Sequence, residues 1–411
     1  NANETYQTLI IIMVTAVILS LMVIVLTTLW VIRSTNRRLD EVKNGIKDII
    51  VVCKPDSSMQ DIEACTKELD VQLKFVIQQE SLGTGNALYQ AKEHITDPFI
   101  LIWPNKVNAG DILKKMIEVQ QKESADVVFV GAETDTPQDY GIIKFNGEQV
   151  EQIVEKPEED KAPSNIKAIG VYFLKPDFFE YYDKLEQHNE FDIIDARNAY
   201  LKDKKGACVI LEKDVPALKY PWELFGLLDI LINTKLEQRV ADTAVIGKNV
   251  EIKGNVFIGE NTVIKDNTVI EGPCYIGANC EIGYGNVLRG PVNIEDNVVT
   301  GAFCEIKHSI IQEGTTFHSG YIGDSIIGKN CSFGAGITTA NLRLDRNNVR
   351  STVKGERRDT GLPKLGAIVG NNTKVGIHVG IMPGVLIGSK CEIGPGAKVF
   401  ENLEDGVMKK D

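Results

Sequence analysis

The sequence predicts two folded units behind an apolar N-terminal segment: an α/β domain, then a left-handed parallel β-helix of hexapeptide repeats. Three observations carry this assignment. An aliphatic residue recurs every six positions from Ala244 onward, apolar runs alternate with helical patterns between residues 40 and 235, and residues 9–32 are almost wholly aliphatic. With 411 residues the chain can bury two separate cores.

The first element in chain order is the apolar segment. No charged residue lies between Glu4 and Arg33. As a helix, residues 9–32 would span about 36 Å, enough to cross a hydrocarbon core of about 30 Å. Trp30 sits near one end, where interfacial aromatics sit, and Arg33, Arg37 and Arg38 follow. A cleaved signal peptide would carry its positive charges first. The expectation is therefore a single-pass transmembrane anchor with its flank over residues 1–38. By the positive-inside rule the N-terminus is expected to lie outside and the rest of the chain in the cytoplasm.

Residues 39–236 form the second element. Apolar runs at 49–53, 73–77, 99–102, 127–130, 169–173 and 207–211 read as buried strands. Helical patterns at 57–68, 86–94 and 110–122 separate them, which implies a mostly parallel, Rossmann-like sheet. The segments "GIKDIIVV" (45–52), "FVIQQESLGTGNAL" (75–88), "DYGIIKF" (139–145), "EKPEE" (155–159) and "YPWELF" (220–225) occur in the same order in the sugar-1-phosphate nucleotidylyltransferases, which this half resembles. The resemblance implies that Gln79 and the Gly83-Thr84-Gly85 turn face a nucleotide base. It implies that Gly141, Glu155 and Lys156 face the sugar. Departures accompany it: a glycine-rich phosphate loop is replaced by the apolar segment, and the two family aspartates that hold Mg²⁺ are Asn105 and Ala217 here. A hard cation needs anionic oxygen ligands. The expectation is a degenerate domain with no resident metal, Mg²⁺ being required only if nucleotidyl transfer survives.

The repeats occupy 237–405, with 406–411 as a tail. Every sixth residue from Ile246 to Ile306 is aliphatic at ten of eleven positions, lapsing at Thr300, and the register resumes from Val369 to Val399. Such a period marks a parallel β-helix in which each hexad is a strand plus a turn. Gly247, Asn249, Gly259, Asn261, Gly277 and Asn279 suit turns with positive φ. The eight cysteines show no C-x-x-C spacing. Cys274, Cys280 and Cys304 sit two places before an inward aliphatic, as small apolar residues in a reducing compartment would. A net charge of −12 argues against nucleic-acid binding.

Where the repeat breaks, "H-x-x-Y-x-G-D" (318–324) precedes "T-A-N-L-R-x-D" (339–345). With the preceding half, these motifs resemble the archaeal-type bifunctional sugar-1-phosphate nucleotidylyltransferase/acetyltransferases of UDP-N-acetylglucosamine synthesis, over about residues 40–405. The resemblance implies acetyl-CoA-dependent N-acetylation of an amino-sugar 1-phosphate such as glucosamine-1-phosphate. His318 would be the general base, an imidazole titrating near neutrality. Tyr321 and Asn341 would bind the sugar, and Arg343 and Lys354 its phosphate or the coenzyme's. Ala335, Gly336, Thr338 and His378 would line the acetyl-CoA groove. It also implies a homotrimer with sites between subunits. His308 reads as a solvated turn residue, and Glu356-Arg357-Arg358-Asp359 as a solvated loop. Two other functions fit the same features: a bifunctional enzyme that keeps nucleotidyl transfer, and a non-catalytic, membrane-tethered trimeric scaffold or sugar-nucleotide sensor.

Overall fold

The aliphatic N-terminal run opens as a strand, which corrects the expectation of a membrane helix beginning there. In the computed structural model β1 (Thr8–Ile12) and β2 (Asp48–Cys53) are joined by β3 (Gln72–Ile77) and β4 (Phe99–Ile102) in one sheet. β1 pairs in parallel with both β2 and β4, Ile10 lying opposite Ile50 and Leu101. A parallel central strand reads as an uninterrupted β-branched run, and periodicity alone cannot tell such a run from an apolar helix. The structure describes residues 8–12, 48–53, 59, 72–80, 82–103, 106, 108–188, 192–212 and 218–410. Residues 13–32 of the expected anchor, and all but Met59 of the helix expected at 57–68, lie outside them. Among the described residues no helix is long and apolar enough to cross a membrane.

The chain divides into two units, residues 1–217 and 218–411. In the first, α1 (Gly83–Gln90) and α2 (Ala109–Glu123) precede β5 (Val127–Glu133), and β6 (Gly141–Asn146) and β7 (Gln149–Glu155) form an antiparallel hairpin. Then follow β8 (Ile166–Leu174), α3 (Phe178–Asp183), α4 (Asp192–Asp203) and β9 (Gly206–Leu211). The sheet runs β3-β2-β1-β4-β8-β5-β9, with β8 antiparallel to both its neighbours. Alternate strand residues feed opposite faces. Ile49, Val51 and Ile100 pack with Ile112, Leu113 and Met116 of α2, while Ile50, Val52 and Leu101 pack with Leu88, Phe178 and Tyr200.

The second unit begins with α5 (Leu224–Lys235), ahead of the boundary that the onset of repeats suggests at 236/237. Three parallel sheets follow, the strands of the first coils each pairing with one 18 residues on, as Val263 with Glu281. Ile258, Ile264, Ile270, Ile276, Ile282, Leu288, Ile294 and Ile306 are all fully buried in one core, stacked by register in three columns such as Ile258–Ile276–Ile294. Thr300 is buried as the register partner of Ile282, so the lapse is of residue type and not of register. Its hydroxyl accepts hydrogen bonds from Asn286 Nδ2 (2.6 Å) and the Gly283 N–H (3.1 Å), and Asn286 Oδ1 accepts from the Cys304 N–H (2.6 Å). Beyond Ile306 some hexads shorten by one residue, and Ile311, Phe317, Ile322, Ile327 and Phe333 continue the core. Ile327 then pairs with Val369, so residues 341–365 are extruded as an insert. Within the insert Arg350–Val353 and Glu356–Asp359 form an antiparallel hairpin; the supposed loop is a strand, and the Arg358 guanidinium lies 5.7 Å from the Tyr220 ring centroid. The supposed tail also adds a strand, Met408–Lys409 pairing with Glu392–Ile393.

Cysteines 274, 280, 304, 331 and 391 are buried and free. The Thr262, Thr315 and Thr373 hydroxyls accept the backbone N–H of Cys280, Cys331 and Cys391 one coil on, a small-residue ladder beside the aliphatic one. Burial pushes the Cys280 and Cys331 thiols up to about 11. That leaves them protonated and inert at neutral pH.

The Thr300 arrangement makes a counter-intuitive prediction. Thr300→Ile restores the aliphatic repeat but leaves the buried Asn286 amide without its acceptor, so urea unfolding should show a loss of about 1–3 kcal/mol. A more stable Thr300→Ile variant would show that apolar volume outweighs the Asn286 bond.

Candidate active site

One corner of the solenoid, the turns between the second and third faces, gathers most of the residues expected to handle acetyl-CoA. Successive coils place Tyr284, Phe303, His318, Ala335 and His378 there, tied by backbone bonds from Phe303 N to Tyr284 O (2.9 Å) and from His378 N to Ala335 O (2.7 Å). His318 is exposed, and its ring makes no hydrogen bond among the described residues. His378 is exposed with φ +54°, and a Cβ on Gly336 would lie 2.5 Å from its Nδ1. Gly336, itself at φ +71°, is therefore required to be glycine by both backbone and neighbour. Phe303 is 76% exposed and Tyr284 53% exposed, an apolar edge on the same corner.

The adjoining third face carries the sugar-side residues. Tyr321 and Thr338 are register partners on neighbouring coils. Tyr321 and Gly323 point to the same side of their strand, and the tyrosine ring lies along it: a Cβ on Gly323 would sit 2.3 Å from the Tyr321 hydroxyl. This explains the glycine of Y-x-G-D. Asn341 Nδ2 donates to that hydroxyl (3.0 Å) and to Asp324 Oδ2 (2.5 Å).

Asp324 is the hub. Its side chain is only 5% exposed, and it accepts from Lys307 Nζ (3.0 Å), His308 Nδ1 (2.8 Å) and Asn341. Burial raises its pKa, yet the bonds from His308, Lys307 and Asn341 outweigh burial and hold it below the ordinary carboxylate value. His308 is no solvated turn residue. Its ring tilts against Phe225 of α5 at 4.7 Å between centroids, and its Nε2 lies 3.7 Å from Asp229 of the same helix. Burial pulls the imidazole down, but Asp229 and Asp324 outweigh it and push it up to about 9. Neither Lys307 nor His308 stands in the recognisable motif. The only signal in the sequence was the aspartate of Y-x-G-D, whose partners lie one coil below it.

Two expected residues are not brought into this group. Arg343 is paired with Asp345 at the exposed start of the insert. Lys354 occupies the tip of the insert's hairpin with φ +51° and is exposed.

In the first unit, Gln79 is exposed, and its neighbour Gln78 does the structural work. Gln78 is buried, and its Nε2 donates to Gly83 O (3.1 Å) and Asn86 Oδ1 (2.9 Å), fixing the turn before α1. Gly83 and Thr84 begin that helix, and Gly85 packs so close to Asp192 that no side chain fits there. Gly141 and Glu155 are register partners, a Cβ on Gly141 falling 2.8 Å from Glu155 Oε2. Lys156 follows at φ +42° and donates its N–H to Tyr140 O (2.9 Å). These three residues are therefore held together. After β4, Trp103 lies across Gly170, where a Cβ would come within 2.1 Å of its indole. Asn105 and Ala217 lie outside the described residues. Among the described residues no three His, Cys, Asp or Glu side chains gather as metal ligands.

Comparison with known proteins now bears on this arrangement. A nucleotidyl transferase family model matches residues 20–237, and a bacterial transferase hexapeptide (six repeats) model matches 255–290 and 366–401. A bifunctional sugar-1-phosphate nucleotidylyltransferase/acetyltransferase of Sulfurisphaera tokodaii is 35% identical, covering 90% of this chain and 89% of its own. The chain belongs to this bifunctional family. The bifunctional protein GlmU of Methanocaldococcus jannaschii is 37% identical over 83% of this chain and 82% of its own, and that of Prochlorococcus marinus is 25% identical over 88% of each. In this chain the nucleotidyl transferase model falls on the α/β part and the hexapeptide model on the repeats of the solenoid.

The raised pKa of His308 fixes a sign for the pH dependence of stability. A folded-state value of about 9, above the unfolded value of about 6.5, stabilises fully below pH 6.5 and is lost as pH rises through 9. Asp324, being depressed, contributes above about pH 4 and is lost only below it. Stability measured by urea unfolding should therefore fall between pH 6.5 and 9, and His308→Gln should flatten that slope. An unchanged slope in the variant would refute the pairing.

Proposed function

We propose that this chain transfers acetyl from acetyl-CoA to the amino group of an amino-sugar 1-phosphate, glucosamine-1-phosphate foremost. The observation that carries the reading is the hydrogen-bonded Tyr321–Asn341–Asp324 group on the solenoid face that follows the corner of His318, which is exposed and whose ring makes no hydrogen bond among the described residues. Tyr321 and Asn341 hold the sugar. The His318 imidazole takes a proton from the substrate's amino group as its nitrogen attacks the thioester carbonyl. The C–N bond forms, the C–S bond breaks, and coenzyme A leaves as thiolate. Ala335, Gly336 and His378, on the His318 corner, and Thr338 beside Tyr321 line the path of the coenzyme. The bifunctional names of the relatives support an acetyl-transfer role. The corner's exposed Phe303 and Tyr284 suit a homotrimer in which a neighbouring subunit covers that edge.

A second reading keeps nucleotidyl transfer as well. It is favoured by β1, which fills the central place of the sheet between β2 and β4 with residues expected to begin a membrane helix. Against it, residues 13–32 contain neither glycine nor cation to grip phosphates, and the positions of the two magnesium aspartates hold Asn105 and Ala217.

Two measurements test these readings. His318→Ala should lower acetyl transfer to glucosamine-1-phosphate by about 10²–10⁴-fold with the oligomeric state unchanged; wild-type turnover in the variant would remove His318 from the role of base. With UTP, Mg²⁺ and a sugar 1-phosphate, acetyl transfer alone predicts no pyrophosphate above background, whereas steady release would establish the second reading.

A further inference from the structure

We infer that Asp324 and His308 are positioning residues of the acetyl-transfer site, setting the direction of the Asn341 amide and the Tyr321 hydroxyl and anchoring both to α5. The inference rests on the acetyl-transfer reading and assigns work to residues outside the recognisable motif.

The chemistry of the groups dictates the orientation. An amide can present either its NH₂ or its oxygen, but an ionised carboxylate only accepts. With Asp324 Oδ2 at 2.5 Å, the NH₂ of Asn341 must face it, and its second N–H reaches the Tyr321 oxygen at 3.0 Å. Two consequences follow. Asn341 Oδ1 is turned away from the carboxylate and left as an acceptor, while the tyrosine oxygen, already accepting, keeps its own proton to donate. The pair thus offers one donor and one acceptor side by side, a pattern that matches the hydroxyl and amino groups of an amino sugar.

This pattern holds only while Asp324 is ionised. A protonated carboxyl could donate to Asn341 Oδ1, and the amide would turn over. A carboxylate so deeply buried stays charged only with close cations, and the structure supplies two, Lys307 at 3.0 Å and His308 at 2.8 Å. His308 is held in turn on its far side by Asp229 and Phe225 of α5. The line Asp229–His308–Asp324–Asn341–Tyr321 therefore runs from the helix to the substrate-facing groups.

Steady-state kinetics with glucosamine-1-phosphate and acetyl-CoA at one pH near 7 tests this. Asp324→Asn should raise KM for the sugar phosphate about tenfold or more, the effect of one hydrogen bond to a charged group, with KM for acetyl-CoA unchanged. Because Asp324 acts through Asn341, the double variant Asp324→Asn/Asn341→Ala should be no worse than Asn341→Ala alone. His308→Gln, which keeps a donor but not the charge, should raise the same KM by a smaller factor, and this arm decides the matter should Asp324→Asn fail to fold. Additive losses in the double variant, equal rises in both KM values, or wild-type kinetics in His308→Gln would overturn the inference while leaving acetyl transfer intact. No transfer by the unmodified chain would overturn the acetyl-transfer reading and this inference with it.

Discussion

Each outward feature of the second unit depends on the inward column of aliphatic side chains. A coil can close only if a residue points into the core at each of its three sides, and the next coil can pair with it only in register. The constraint is strict about direction and lenient about chemistry. Thr300 occupies an inward place because its hydroxyl finds Asn286, and Phe317 and Phe333 occupy others as stacked rings 4.8 Å apart. It is also lenient about length, provided that the change occurs at a corner. The shortened hexads beyond Ile306 and the insert at 341–365 both leave the pairing of Ile327 with Val369 intact. The site is built where these irregularities fall, because only there does the solenoid offer side chains that are not interchangeable from coil to coil.

Into this apolar frame the chain introduces a small ionic network centred on Asp324. A buried carboxylate is costly without compensation, since desolvation disfavours its charged form. Here Lys307 and His308 come from the coil below and Asn341 from the coil above, so stacking itself delivers the partners. Asp229 adds a contact from outside the solenoid and secures α5 against it. Removing a cation would leave the deeply buried Asp324 carboxylate with less compensation for its lost hydration.

The first unit shows the same economy of close approach. Glycines mark places where another group must come near: Gly85 against Asp192, Gly141 against Glu155, and Gly170 beneath Trp103. Gln78 secures the turn before α1 from a buried position, leaving Gln79 exposed. β1 takes a central place in the sheet between β2 and β4, and the nucleotidyl transferase family model matches the chain from residue 20 onward.

By itself the sequence determined what is periodic or local. The six-residue repeat specified the solenoid and its buried column, because period and inward direction are the same property. The strands of the first unit were legible from short apolar runs alternating with helical patterns, and Tyr321 and Asn341, each in a recognisable motif, are joined by a hydrogen bond in the structure. Only the tertiary structure decided the remainder. An unbroken apolar run has no period, so residues 9–12 were open to helix or strand until β2 and β4 supplied hydrogen-bond partners. His308 carries no mark of its role, since Asp324 is 16 residues away and Asp229 farther still, and only the winding of the coil brings them within reach. Charge pairing and hydrogen bonding act through space, and the chain does not write those distances along its length.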